Sequence, residues 1–450
     1  MRFLSLPSHP SPKNSHGDLS SNTDHESLNR RNRRWIYAGR AVRSFSTAFL
    51  TVVFPLYLAS SGYSGTRIGL VLTVGGFISA GVVLAVGLGG DRLGRRTMLV
   101  LVSALGVLGA AALVVSANLG VVMVANGLCG VGRGGGAGSG GAFGPLFPAE
   151  QPLLAASTED SSRTAVFGHL SFIGVAAGAA GSLVAFVPEV LHHGGWTWSA
   201  SYRLVFALAA LLAMIMLLAA LPIVERRPAA GGQTPRRQND FPRLSTRQLM
   251  KRLGLVNAAN GLGFGFLGGL LTYWFHVRYG VGPGAIGLLY TVLNLATMVP
   301  YLASARLTRR LGAVSTVVST RAVGLLFMLA MLWTPTFVLA GVAYGLRLVA
   351  NSLGMPARQS YVMGVSDEHR RSTIAAVGSM PSQISSSITP VIGGSLMASF
   401  VDIPILGAFV FMSVNTIAFF LSFHRYRPPE EQVEGRTEQG QLPGVSSLIT

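Results

Sequence analysis

Gly87-Leu-Gly-Gly-Asp91-Arg92-Leu-Gly94-Arg95-Arg96 is a short polar and basic break between two apolar runs, each long enough to cross a bilayer. Gly87 stands one turn before Asp91, where a missing side chain lets a second helix approach the backbone. Asp91 is a carboxylate at the membrane edge. An unpaired charge is costly there, so it calls for an arginine or the N-terminus of a neighbouring helix. Gly94 permits a tight turn, and Arg92, Arg95 and Arg96 hold that turn on the cytoplasmic side and reach lipid phosphates. The stretch predicts an all-α membrane protein of repeated helices.

Composition agrees with that reading. Apolar residues make up 50% of the chain and charged ones 12%, a profile that fits a polytopic helical membrane protein and excludes an ordinary soluble domain. The formal charge of +18 would suggest a nucleic-acid partner in a soluble chain. Here Lys and Arg gather in the tails and in alternate loops, so positive-inside topology accounts for them and no nucleic acid is expected. The single cysteine, Cys129, lies in an apolar run, which leaves neither a disulfide framework nor a cysteine metal site.

Twelve apolar runs of about 20 residues begin near Trp35, Thr66, Thr97, Leu119, Thr164, Arg203, Lys251, Pro283, Ala313, Thr336, Ser372 and Ile403. Residues 1–33, rich in Ser, Asn, His and Pro, predict a disordered cytoplasmic tail that ends in Arg30, Arg31, Arg33 and Arg34 before the first run. A first six-helix half then covers 34–222, a Pro-, Gln- and Arg-rich cytoplasmic linker 223–250, a second half 251–424, and a disordered cytoplasmic tail 425–450. The loops placed inside are the basic ones, and those placed outside carry only Arg67, Arg203 and Arg278. The expectation is a monomer in the cell membrane with both termini in the cytoplasm.

The halves are related in sequence. Ser64-Gly-Thr-Arg-Ile-Gly-Leu70 aligns with Gly282-Pro-Gly-Ala-Ile-Gly-Leu288, and Asp91-Arg92-Leu93-Gly94 with Arg309-Arg310-Leu311-Gly312. At a slightly different offset, Pro148-Ala149-Glu150-Gln151 aligns with Pro356-Ala357-Arg358-Gln359. Matches in the same order indicate a duplication, with extra residues in the first half in the glycine-rich run from Gly134 to Gly141.

The opening stretch resembles the signature between the second and third helices of the major facilitator superfamily of secondary transporters, G-x-x-x-D-[RK]-x-G-[RK]-[RK]. Gly87, Asp91, Arg92, Gly94, Arg95 and Arg96 all match it. The resemblance covers the chain from about Trp35 to His424 and implies two pseudo-symmetric six-helix halves that rock around a midplane site. With a two-fold axis along the membrane normal, Asp91 faces the start of the eleventh helix near Arg371. Arg309 or Arg310 then approaches the start of the fifth helix, beside Glu159 and Asp160. These contacts would form an inner gate.

On this reading no Asp or Glu falls inside a helix core, whereas Arg40, Arg43, Arg133, Arg321 and Arg347 do. Intramembrane charges are expensive and point to function. Arg40, Arg43 and Arg321 stand near enough to a cytoplasmic end to snorkel to headgroups. Arg133 and Arg347 lie in the fourth and tenth helices, which line the central cavity in the resembled family, and are the leading substrate-facing charges. The competing reading is a packing arginine bonded to backbone carbonyls. Asn126, Asn260, Tyr273 and Trp274 complete the expected cavity set.

The family's fourth helix often carries R-x-x-x-G-x-G, linked to proton coupling. Here Asn126 to Gly132 reads N-G-L-C-G-V-G, with asparagine in the arginine position and no buried carboxylate to titrate. Coupling to a proton or counter-ion is therefore left open. The glycines Gly174, Gly178 and Gly181 and the run Thr389 to Gly394 each hold part of the family's antiporter signature, and close helix packing explains them equally well.

A membrane enzyme would need a nucleophile with its base, or metal ligands, at membrane depth. No such constellation exists, and neither catalysis nor a cofactor or metal is expected. A non-transporting receptor on the same fold remains an alternative. The expectation is a carrier of a small organic solute working by alternating access. Export of drug-like or metabolite compounds ranks first by resemblance. Uptake of an anion, or facilitated diffusion, ranks second because the intramembrane charges are basic.

Overall fold

The structure is a computed structural model that describes residues 15–130, 146, 150, 153–154, 163–224, 246–365 and 371–424. Among the described residues the regular elements are helices, without strands. They are α1 (Ser15–Ser60), α2 (Gly65–Leu93), α3 (Arg95–Val115), α4 (Leu119–Cys129), α5 (Arg163–Ser182) and α6 (Trp198–Ala220), then α7 (Thr246–Tyr279), α8 (Pro283–Leu311), α9 (Ala313–Ala330), α10 (Phe337–Val365), α11 (Arg371–Leu396) and α12 (Ile403–Phe423). A 3-10 turn at Leu183–Phe186 and a short helix at Val187–His193 extend α5. Ten of the helices are long and apolar enough to cross a membrane. The other two positions are α4, whose described part is 11 residues long, and α11, interrupted by Pro381 and Pro390.

Local chemistry sets the helix ends. Ser64, Asn118 and Thr197 precede α2, α4 and α6, and each side-chain oxygen accepts a hydrogen bond from an otherwise unpaired N–H of the first turn. Gly94 (φ 97°) separates α2 from α3, and its counterpart Gly312 (φ 80°) separates α8 from α9. Gly62 (φ 78°) and Gly280 (φ 67°) turn the chain before α2 and α8 in the same way. Positive φ strains any residue with a Cβ, so the duplicated glycines mark duplicated turns.

The packing repeats with a period of six helices. The pairs α1–α5, α1–α6, α2–α4, α3–α4 and α3–α6 recur as α7–α11, α7–α12, α8–α10, α9–α10 and α9–α12. Between the halves, α2 packs on α11 and α5 on α8, each pair the image of the other. The main core spans this junction, with Phe49, Phe54 and Leu58 of α1 buried in one cluster with Leu270, Trp274 and Phe275 of α7. Many leucines and valines stay exposed, among them Leu108, Leu211, Leu326 and Leu421, because the solvent for these faces is lipid.

The tail expected to be disordered over 1–33 is helical from Ser15. A long apolar span is already nucleated, and no proline or glycine interrupts the chain between Asp18 and Arg34, so the helix propagates backwards. Asn32 anchors this extension through a paired contact, its Nδ2 donating to the Val224 carbonyl at 2.8 Å and its Oδ1 accepting from the Val224 N–H at 3.2 Å. Likewise α7 begins at Thr246, inside the expected 223–250 linker. Residues 1–14, 225–245 and 425–450 lie outside the described residues.

Candidate functional site

A cavity of about 120 Å³ lies inside the second half, walled by α7, α8, α9, α10 and α12. On α10 the residues Tyr344, Arg347, Asn351, Met355 and Arg358 line it. Steps of three and four place them on one face of a helix. Asn260, Phe264 and Leu267 of α7, Tyr290 and Tyr301 of α8, Arg321 of α9 and Asn415 of α12 close the walls. Gly324 of α9 stands against the Arg347 carbonyl and the Asn351 side chain, and Gly354 of α10 against Thr320. These contacts put Arg321 between the levels of Arg347 and Arg358, which are three helical turns or ~16 Å apart along α10.

All three arginines are held by neutral groups. Arg347, only 5% exposed, donates from Nη2 to the Met412 sulfur at 3.2 Å and lies 5.4 Å from the centre of the Tyr344 ring. Arg321 donates to Asn415 Oδ1, and Asn415 Nδ2 donates in turn to the Val256 carbonyl at 2.5 Å. Arg358 donates to Asn257 Oδ1. Among the described residues none of the three meets a carboxylate. A guanidinium has five N–H donors, so one neutral acceptor leaves most of its capacity unused. Cation–π and sulfur contacts orient such a charge without neutralising it.

The first half is organised differently. Glu150, 5% exposed, binds Arg43 Nη2 at 2.5 Å and lies 3.6 Å from Arg40 Nη1. This corrects two expectations, that no carboxylate is buried and that Arg40 and Arg43 snorkel. A buried guanidinium beside a carboxylate gains more from the ion pair than from stretching to headgroups. A smaller cavity of about 30 Å³ borders this cluster. Tyr301, which lines the large cavity, lies within electrostatic reach of Arg40.

Of the expected cavity residues, Arg347 and Asn260 line the large cavity. Asn126 is buried between α2 and α4, donating to the Val71 carbonyl at 3.2 Å, and stays outside it. Trp274 is fully buried and donates to Asp402 Oδ1 at 3.0 Å, while Tyr273 borders the contact between Gly65 and α11. The reason is a break in α7 at Gly268, where φ is −18° and ψ −117°, so residues beyond it turn away from the face carrying Asn260 and Phe264. Arg321 was expected to snorkel, and Arg358 fell in the loop beyond the run of about 20 residues that begins near Thr336. The three- and four-residue spacing on α10 signals Arg358, whereas nothing local signals Arg321.

For the signature stretch, Gly87, Asp91 and Arg92 belong to α2 by backbone, and their side chains lie outside the described residues. Arg96 donates to the Leu221 carbonyl at 2.8 Å and so closes the end of α6. Arg95 packs near Gly90. Arg309 and Arg310 are exposed. Arg133, Glu159 and Asp160 lie outside the described residues, as does the side chain of Arg371, which opens α11.

Tight contacts between the halves gather at the ends of α2, α11, α5 and α8 remote from the arginine-rich turns. A Cβ on Gly65 would stand 2.8 Å from the Gly394 carbonyl oxygen, and Val391 N–H donates to Thr73 Oγ1 at 3.2 Å. On the other side Thr291 Oγ1 donates to the Ala179 carbonyl at 3.1 Å, and Gly284 N–H in the first turn of α8 donates to Glu189 Oε2 at 3.0 Å. Gly178 and Gly181 of α5 abut Asn294 and Phe45, so these glycines and the Thr389 to Gly394 run serve helix approach.

The family model described as Major Facilitator Superfamily matches residues 36–350 and 253–449. Among solved structures, the crystal structure of the human organic anion transporter MFSD10 (TETRAN) matches with a TM-score of 0.59 at 17% sequence identity, covering 88% of this chain and 99% of that one. No curated protein matches.

Proposed function

The chain belongs to the major facilitator superfamily of membrane transporters, and we propose that it carries a small organic anion, bound in the cavity lined by Arg321, Arg347 and Arg358. The observation that carries this reading is three guanidinium groups lining one cavity, Arg347 buried and Arg321 and Arg358 part-buried, which among the described residues meet only neutral partners. Each costs several kcal/mol to hold away from water, and an anion offsets that cost where a cation would add to it. At 17% identity the likeness to the human transporter concerns the fold, so the choice of substrate rests on the cavity. Export of drug-like or metabolite compounds ranks first by resemblance, but a cationic compound of that kind would meet no acidic group among the described residues that line this cavity.

Alternating access fits the same arrangement. The tight contacts at Gly65, Gly394, Thr291 and Glu189 support a state closed at the ends remote from the arginine-rich turns, which is the outside under the positive-inside rule. Rocking of the halves about α2–α11 and α5–α8 would exchange this closure for the inner gate expected around Asp91 and Arg309.

The test is uptake into proteoliposomes of size-matched anionic, neutral and cationic solutes by the wild type and by Arg347→Gln. Anions are expected to move selectively. Losing one charge-assisted contact of ~1.5–3 kcal/mol should slow them about tenfold or more in the variant. Selective movement of cations, unaffected by Arg347→Gln, would return the efflux reading to first place.

A further inference from the structure

The three arginines form a ladder, not a cluster. Arg347 and Arg358 stand on one face of α10 about three turns apart, and Arg321 enters from α9 at an intermediate level, roughly one to two turns from each. Adjacent rungs are therefore separated by roughly 6–10 Å along the helix axis. Between the rungs the walls are uncharged, with Phe264, Leu325, Asn351 and Met355 facing the space. Arg321 feels both neighbours as repelling charges.

Resting on the anion reading above, we infer that the preferred occupant is a short-chain organic dicarboxylate whose two carboxylates engage adjacent rungs, Arg347 with Arg321 or Arg321 with Arg358. A monoanion satisfies one rung and leaves two positive charges facing each other across the cavity. A dianion with separated charges satisfies two and relieves the repulsion between them. A carboxylate matches the planar fork of a guanidinium, taking two parallel N–H bonds. A phosphate concentrates its charge on one centre and so meets one rung. Size limits the skeleton too: a cavity of about 120 Å³, at roughly 10–15 Å³ for each water-sized occupant, admits on the order of ten non-hydrogen atoms. Dicarboxylic acids of four to six carbons fit that limit. The apolar and amide walls between the rungs suit the methylene chain.

This assigns different parts to the arginines. Arg321, shared by both possible pairs of rungs, recognises the second charge, whereas Arg347 and Arg358 each hold a first one. Selectivity for dianions over monoanions accordingly resides in Arg321.

The experiment compares binding to the purified full-length protein of butanedioate, pentanedioate and hexanedioate with the monoamide and diamide of the same acids. Inorganic phosphate and the variants Arg321→Gln and Arg321→Lys are included. In the wild type at least one diacid is expected to bind ten times or more tighter than its monoamide, and the monoamide tighter than the diamide. Arg321→Gln should shrink the diacid advantage to about twofold while monoamide binding persists, and Arg321→Lys should restore part of it. Lowering the pH until one carboxylate is protonated should reproduce the monoamide in the wild type, a readout that needs no variant. Equal binding of diacid and monoamide, both tighter than diamide, would overturn the dicarboxylate assignment and leave the anion reading standing. Phosphate binding as tightly as the best diacid would overturn the two-rung geometry. Equal binding of diacid, monoamide and diamide would overturn both readings together.

Discussion

Glu150 holds two arginines of α1 from a position far along the chain, 107 residues from Arg43. Removing its charge strands the buried Arg40 and the part-buried Arg43, so Glu150→Gln is expected to destabilise the protein by about 3–5 kcal/mol, seen as a lower Tm in detergent. Adding Arg43→Gln removes one of the stranded charges and should recover part of the loss. If the second change destabilises further, the ion pair is not what holds this corner of the first half. The contrast with Arg347 is chemical, since one buried arginine has a protein carboxylate and the other has a thioether and a ring. That difference was not legible in residue identities. Glu150 reads as a loop residue beside Pro148, and only the fold brings it onto Arg40 and Arg43. Arg347 was singled out in the sequence, whereas Tyr344 and Arg358 join it on one face by helical spacing only because the helix continues to Val365, beyond the run of about 20 residues expected from Thr336.

At the scale of elements, the pairs α2–α11 and α5–α8 carry the junction between the halves. Gly65 and Gly394 approach so closely that their backbones touch, which requires the absence of both side chains. Gly394→Leu, whose Cβ would stand 2.4 Å from the Gly65 carbonyl oxygen, is expected to bar this approach and to cut uptake by about tenfold or more in a protein that still purifies folded. Wild-type uptake by the folded variant would contradict closure at this end. The opposite pair uses a different device: Glu189 of the short helix after α5 accepts from the first turn of α8, where a carboxylate is favoured by unpaired N–H groups and the helix dipole. The helix runs themselves were readable, since a stretch of about 20 apolar residues has few alternatives in lipid. Their order of packing was not, except through the duplication, which implies that whatever α2 does with α11, α8 does with α5.

For the whole molecule, the junction extends from Thr51 of α1, whose carbonyl accepts from Thr272 at 3.4 Å, to the two helix pairs on either side. Covalent continuity between residues 225 and 245 is therefore not needed to hold the halves together. Co-expressed fragments 1–232 and 233–450 are expected to co-purify and to retain uptake, and fragments that separate in mild detergent would show that the linker does more than connect. The sequence by itself determined the membrane class, the twelve runs, the duplication and the turn glycines, because bilayer thickness and positive φ act on each segment alone. The tertiary structure decided which charges are paired and which face the cavity. Arg321, Arg358 and Asn415 meet there from three helices, Trp274 is turned away from it by the break at Gly268, and Glu150 is drawn onto α1. Pairing and exposure depend on what stands opposite a side chain, and no spacing along the chain records that.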